Sequence, residues 1–75
     1  MTLEEFVNHF AEEFDETDKS VFTADTHFRE LKEWGSLTAL SIIAMIDEEF
    51  DKCITGADLR SCETIKSLFE LVQSK

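Results

Sequence analysis

Hydrophobic residues recur at steps of three and four positions near the start of the chain, with glutamates between them. From Leu3 to Phe14 this spacing puts the apolar side chains on one face of an amphipathic helix. Thr2 and Glu5 have the spacing of a capping box, in which the Thr hydroxyl accepts the Glu amide and the carboxylate reaches back. We therefore predict a first helix from residue 3 to about residue 15.

The next strongly periodic stretch begins at Ser36, directly after Gly35, and predicts a second helix that ends near Phe50. With about 100° of rotation per residue, one broad apolar side is predicted to face the core, and it carries Ala39, Ile42, Ile43, Ile46 and Phe50. The opposite side is predicted to face solvent, and it carries Thr38, Ser41, Met45 and Glu49.

A third side of this helix combines apolar and acidic residues, and we call it the mixed strip: Ser36, Leu37, Leu40, Ala44, Asp47 and Glu48. A helix that needs only one core-facing side has no use for Leu37 and Leu40 here. Acidic residues near a helix C-terminus also oppose the helix dipole. The mixed strip is therefore predicted to serve an external contact.

The segment over residues 16–35 loses the helical period but is rich in large apolar side chains. Connections longer than about 12–15 residues are uncommon in small domains unless they are functional or disordered. We predict a long connection that is held to the core at several points, through Val21, Phe22, Phe28, Leu31 and Trp34.

The C-terminal part of the chain predicts two further helices. Thr55 and Asp58 have the spacing of a cap and first turn, so a short helix is expected to reach Arg60 or Ser61. A last helix is expected after a cap at Ser61 or Thr64, with Ile65, Leu68, Phe69 and Val72 on one side.

The chain contains no proline and two glycines, so little interrupts its helices. We predict an all-α fold, a small bundle of three main helices plus one short helix, as a single domain over residues 1–75. The chain has no apolar run near the roughly 18 residues that span a bilayer. It also opens with no signal-peptide pattern. These features favour a cytoplasmic protein.

The net charge of −10, from 17 acidic and 7 basic residues, narrows the range of partners. Such a surface repels phosphate backbones and anionic lipids, which argues against nucleic acid and membranes. It attracts proteins with basic surfaces. The alternative is that the acidity only keeps the protein in solution.

The candidate chemical groups are few. Cys53 and Cys62 do not form a C-x-x-C pair, and nothing in the spacing brings His9 and His27 to them, so no metal site is predicted. We expect free thiols, at least one of them buried. Ser36 lacks the Gly-x-Ser-x-Gly elbow and a marked base, which argues against an enzyme.

Ser36 nevertheless has two possible roles at the start of its helix. Serine is common there because it caps the first amides. The unpaired amides and the positive end of the dipole also favour a phosphate group attached at this place. The residues alone leave both roles open.

The run Gly35-Ser36-Leu37, followed by a helix that ends Asp47-Glu48-Glu49-Phe50, resembles the phosphopantetheine attachment region of the acyl carrier protein family. The resemblance implies an acyl-carrier-like bundle in which Ser36 bears 4′-phosphopantetheine through a phosphodiester. It implies a surface for partner enzymes at Leu37, Leu40, Ala44, Asp47 and Glu48. It also implies that the acyl cavity or core is lined by Ile42, Ile43, Ile46, Phe50, Ile54, Cys62 and Ile65.

By this resemblance the chain is a monomeric, stand-alone acyl carrier protein of fatty-acid or specialised polyketide-type biosynthesis. Its implied partners are a phosphopantetheinyl transferase and acyl-processing enzymes with basic surfaces. The alternatives are an aminoacyl or D-alanyl carrier, and an unmodified acidic helical interaction module in which Ser36 only caps.

Two positions depart from the family pattern. Gly35 stands where the family usually has Asp, which helps to position the transferase and its metal ion. The departure implies modification that is slower, that needs a dedicated transferase or that fails. Thr38 and Ser41 stand where fatty-acid carriers are often acidic, which points toward a specialised acyl, polyketide-type or aminoacyl pathway.

Overall fold

A computed structural model describes residues 2–75 and contains four α-helices. They are α1 (Leu3–Glu12), α2 (Ser36–Phe50), α3 (Gly56–Ser61) and α4 (Ile65–Gln73). The long connection between α1 and α2 contains two short 3₁₀ turns, Lys19–Val21 and Phe28–Glu30. No β-strand occurs in residues 2–75, so the prediction of an all-α bundle with three longer helices and one short one is confirmed.

Threonine capping boxes start three of the four helices. In the predicted box of α1, the Glu5 amide donates to the Thr2 hydroxyl at 3.1 Å and the Thr2 amide donates to the Glu5 carboxylate at 3.0 Å. Thr55 and Thr64 form the corresponding boxes of α3 and α4. The cap of α4 is therefore Thr64 rather than Ser61.

Helix α1 ends at Glu12, earlier than predicted. The Glu13 and Phe14 amides donate to the carbonyls of Phe10 and Ala11, three residues back, so the last turn is tightened. Acidic residues at this end oppose the dipole. Phe14 stays buried outside the helix because its ring packs on Phe22, with the ring centroids 4.9 Å apart.

One hydrophobic core joins the four helices and the long connection. Its fully buried members come from α1, the connection, α2, α3 and α4: Phe6, Phe10, Phe28, Ile42, Ile46, Leu59, Ile65, Leu68 and Val72. Cys62 is buried among them and Cys53 is exposed, and both are free thiols. The expectation that at least one thiol is buried is confirmed.

Two residues lie where the sequence pattern does not place them. The helical period puts Met45 toward solvent, but the side chain is buried, because α1 lies over this side of α2 and lines one groove with it. Val21 is predicted to hold the connection to the core, but 45% of its surface is exposed. The connection is held instead by the buried Phe22 and Phe28.

The long connection is fixed at both ends and in the middle. The Glu33 carboxylate accepts hydrogen bonds from the Thr17 hydroxyl and the Glu16 amide, which holds the pKa of Glu33 below its usual value. Further along, the amides of Ile65 and Lys66 donate to the carbonyls of residues 26 and 24, at 3.2 and 2.9 Å. These contacts fix the place at which the chain enters α2.

Candidate functional site

Ser36 is the first residue of α2, and its side chain is exposed. The residue in the N-cap position is Gly35, whose φ of −170° and ψ of −174° are extended angles that any residue adopts. No side chain caps the amides of the first turn. Ser36 is therefore not the cap of its helix, and the amides around it have no side-chain partner.

The mixed strip lies on one exposed side of α2. Leu37 is 81% exposed and Leu40 is 62% exposed, and they are two of the three large hydrophobic side chains exposed in the described chain. Ala44, Asp47 and Glu48 are exposed as well. The structure thus brings the predicted residues together, with apolar groups next to Ser36 and carboxylates toward the other end of the helix.

Acidic residues of α1 extend the negative charge of the mixed strip. A groove of about 470 Å³ separates the end of α1 from α2, and it is lined by His9, Glu12, Glu13, Ser41, Ala44, Met45, Glu48 and Glu49. Partial burial raises the pKa of Glu13 above its usual value, and the charges of Glu12 and Glu48 add to this effect. No pattern in the sequence indicates that α1 contributes here, because only the packing of the two helices brings these acids together.

A second groove, of about 270 Å³, lies on the other side of Ser36, between the connection, α2 and α3. We call it the arginine groove: Arg29, Trp34, Gly35, Ser36, Ala39, Gly56, Leu59 and Arg60 line it. It offers apolar and cationic groups beside the serine hydroxyl. The sequence pattern does not indicate this groove, because its residues come from three separate segments.

The site fits a phosphopantetheine group on three counts. The Ser36 hydroxyl is exposed at a helix start, where unpaired amides and the dipole favour a phosphate. A β-carbon built on Gly35 would meet nothing within 4 Å, so the backbone next to Ser36 borders open space. The arginine groove next to it can accept a polar and an apolar part of one ligand.

The sequence matches the family model described as the phosphopantetheine attachment site over residues 4–72. The chain belongs to this family. The resemblance to acyl carrier proteins is thereby confirmed, and the cofactor of the family is 4′-phosphopantetheine, covalently attached. Domains of this family are carriers and not themselves catalysts, and they interact with transferases and acyl-processing enzymes. Comparison with curated proteins and with solved structures found no match.

The two histidines each contact a different neighbouring side chain. His9 packs edge-on against Phe50, with centroids 5.4 Å apart, and His27 lies 3.6 Å from the Glu30 carboxylate. Within residues 2–75, no three His, Cys, Asp or Glu side chains are grouped so that they could hold a metal ion. The described helices include none long and apolar enough to cross a membrane.

Gly35→Asp is expected to stabilise α2 and to speed phosphopantetheine transfer. The position is extended and open, so the new carboxylate can accept a first-turn amide and interact with the dipole, which adds about 0.5 kcal/mol to the free energy of unfolding. Faster transfer is expected because Asp is the usual family residue here. The measurements are urea unfolding and the initial rate of transfer from coenzyme A. Gly35→Ala is the control, and equal rates for the two variants would argue against a role for the carboxylate.

Proposed function

We propose that this protein is an acyl carrier protein whose 4′-phosphopantetheine arm is attached to Ser36. The observation that carries the proposal is the exposed hydroxyl of Ser36, at an uncapped helix start, in a chain that matches the attachment-site family. When attached, the group supplies a terminal thiol that holds an acyl cargo as a thioester. The cargo we propose is a fatty-acid or polyketide-type acyl group, and the whole chain would act as one carrier domain.

The protein's own residues position the cargo and select its partners. A tether fixed at Ser36 raises the effective concentration of the cargo at the active site of a docked partner. Leu37 and Leu40 offer a small apolar contact, and small contacts suit the short-lived complexes of a carrier that visits several enzymes. Asp47 and Glu48, with the acids of α1, would steer basic partner surfaces toward this side.

The direct test is intact mass after incubation with coenzyme A and a broad-specificity phosphopantetheinyl transferase. We expect the mass to rise by one phosphopantetheine. No addition with several different transferases would contradict the proposal and leave an unmodified interaction module.

A second experiment identifies the class of cargo. Acyl-activating and amino-acid-activating enzymes are offered to the modified protein. Loading by amino-acid-activating enzymes alone would contradict an acyl cargo.

Asp47→Lys combined with Glu48→Lys is expected to slow partner reactions by about tenfold in low salt, because it reverses the charge that steers association. The fold should remain intact, since both residues are exposed and lysine at a helix C-terminus suits the dipole. The measurement is kcat/KM of a partner enzyme at two ionic strengths, with circular dichroism as the fold check. Asp25→Lys with Glu70→Lys makes the same change in net charge elsewhere and is the control. Equal rates for both double variants in low salt would rule out local steering.

A further inference from the structure

The chain has two arginines, Arg29 and Arg60, and both line the arginine groove beside Ser36. One comes from the long connection and the other from α3. In a protein with a net charge of −10, this leaves the surroundings of Ser36 locally cationic on one side, whereas the far end of α2 is acidic. Positive charge thus lies near the start of α2, and negative charge lies near its end.

Neither arginine is paired with a carboxylate of the described chain. Among residues 2–75, basic and acidic side chains meet at Lys75–Asp58 and at His27–Glu30, the latter an ion pair only when the imidazole is protonated, although the chain has 17 acidic residues. Arg29 is held in place because its Nε donates to the carbonyl of Cys62 at 3.0 Å. Arg60 lies over Gly56, where a β-carbon on the glycine would come within 3.3 Å of Nη1. Within the described residues, neither guanidinium group therefore has a salt-bridge partner, and Arg29 borders both the arginine groove and a neighbouring groove lined by His27, Glu30 and Glu63.

The other residues that line the arginine groove restrict the chemistry of the ligand that it could bind. Trp34 and Ala39, both partly exposed, give the groove an apolar wall, and its volume is about 270 Å³. A purely hydrocarbon chain would gain nothing from two guanidinium groups. An anion alone would gain nothing from the apolar surfaces of Trp34 and Ala39. The lining suits a ligand with an oxyanion at one end and an apolar part next to it.

We propose that Arg29 and Arg60 bind the phosphodiester of the arm on Ser36, and that the dimethyl-bearing segment of the arm packs against Trp34 and Ala39. The inference rests on the proposed attachment at Ser36, and it adds a resting place for the arm on this protein's surface. Guanidinium groups suit phosphate oxygens because their donors are planar and can bind two oxygens at once. Ser36 itself lines the groove, so a phosphate on its hydroxyl begins at the groove's edge.

The test uses the modified protein with a free thiol, so that the phosphodiester is the arm's anionic group. The ³¹P resonance of the phosphodiester and the ¹H relaxation of the arm's methyl groups are compared with those of the same protein unfolded in urea. We expect a displaced ³¹P resonance and slowed methyl motion in the folded protein. In Arg60→Gln, and more completely in Arg29→Gln/Arg60→Gln, both should move toward the values of the unfolded protein.

The control is Lys19→Gln/Lys66→Gln, which removes the same charge at exposed residues outside the groove and should leave both signals unchanged. The single variant Arg60→Gln keeps the test valid if the double variant misfolds. It is expected to fold, because Arg60 is exposed and forms no ion pair within residues 2–75. Identical signals in wild type and in both arginine variants would overturn the inference while the mass gain still supports a carrier. If the arginine substitutions change these signals only after a malonyl group has been loaded, the arginines bind the carboxylate of the cargo and not the phosphodiester. That result would also overturn the inference. Failure to form the modified protein would overturn both the carrier function and the groove's role.

Discussion

Ser36→Ala is expected to abolish the addition of phosphopantetheine completely. Alanine has no oxygen with which to form the phosphodiester, so no other property of the site can compensate. The fold should be unaffected or slightly more stable, because Ser36 is exposed, is not the cap of α2, and alanine favours helices. The measurement is intact mass after incubation with coenzyme A and a transferase that modifies the wild-type chain.

Two further variants make this result specific. Ser41→Ala removes a second exposed hydroxyl from the same helix and should still gain one phosphopantetheine. Ser36→Thr keeps a hydroxyl in the same place and tests how much room the transferase needs. A mass gain in Ser36→Ala would show that the arm is attached to a residue other than Ser36, and its loss in Ser41→Ala would show that modification is not specific to the Ser36 hydroxyl alone.

The boundaries of α2 could be predicted from the sequence because local signals determine them. Gly35 precedes a clear helical period, and the chain leaves the helix after Phe50, where Asp51 adopts a left-handed conformation with φ 55° and ψ 42°. The capping boxes at Thr2 and Thr55 depend likewise on residues three positions apart. Signals that act between residues a few positions apart can be recognised without knowledge of the tertiary structure.

The exposed side of α2 could also be predicted, because its composition is unusual for a buried face. Leu37 and Leu40 fall outside the core-facing side, and the structure leaves both exposed. Met45 is the exception on the opposite side. Its burial depends on the place where α1 crosses α2, and a helical wheel of α2 contains no information about that crossing. How much of the circumference of α2 is buried therefore depends on how the helices pack together.

The arginine groove could not be predicted for the same reason. Arg29 lies in the long connection and Arg60 in α3, and no periodic pattern links them to Ser36. The burial of Phe14 beyond the end of α1 also depends on a distant contact, since its ring packs on Phe22. What the sequence could not provide, in each case, was the position of one segment relative to another.

Phe28→Ala is expected to lower the free energy of unfolding far more than a substitution at any exposed position. Phe28 is fully buried in the long connection, and its ring centroid lies 5.5 Å from that of Phe10 and 5.1 Å from that of Trp34. Truncating a buried phenylalanine costs about 3–5 kcal/mol. A domain of this size has a free energy of unfolding of only about 4–11 kcal/mol, from about 0.05–0.15 kcal/mol per residue. The loss is therefore a large share of the total, and at the lower end of this range the variant would be partly unfolded at room temperature; urea unfolding measures the loss.

Val21→Ala is the matched control, because Val21 lies in the same connection but is 45% exposed. It should change the free energy of unfolding by no more than about 0.5 kcal/mol. A loss below about 1 kcal/mol in Phe28→Ala would mean that the connection is not part of the cooperative fold. Because Trp34 packs on Phe28 and lies close to Gly35 in the chain, the entry into α2 would then be less fixed than the contacts indicate. A large loss would instead mean that the connection leading into α2 belongs to the cooperative core, through a buried ring in a segment without helical periodicity.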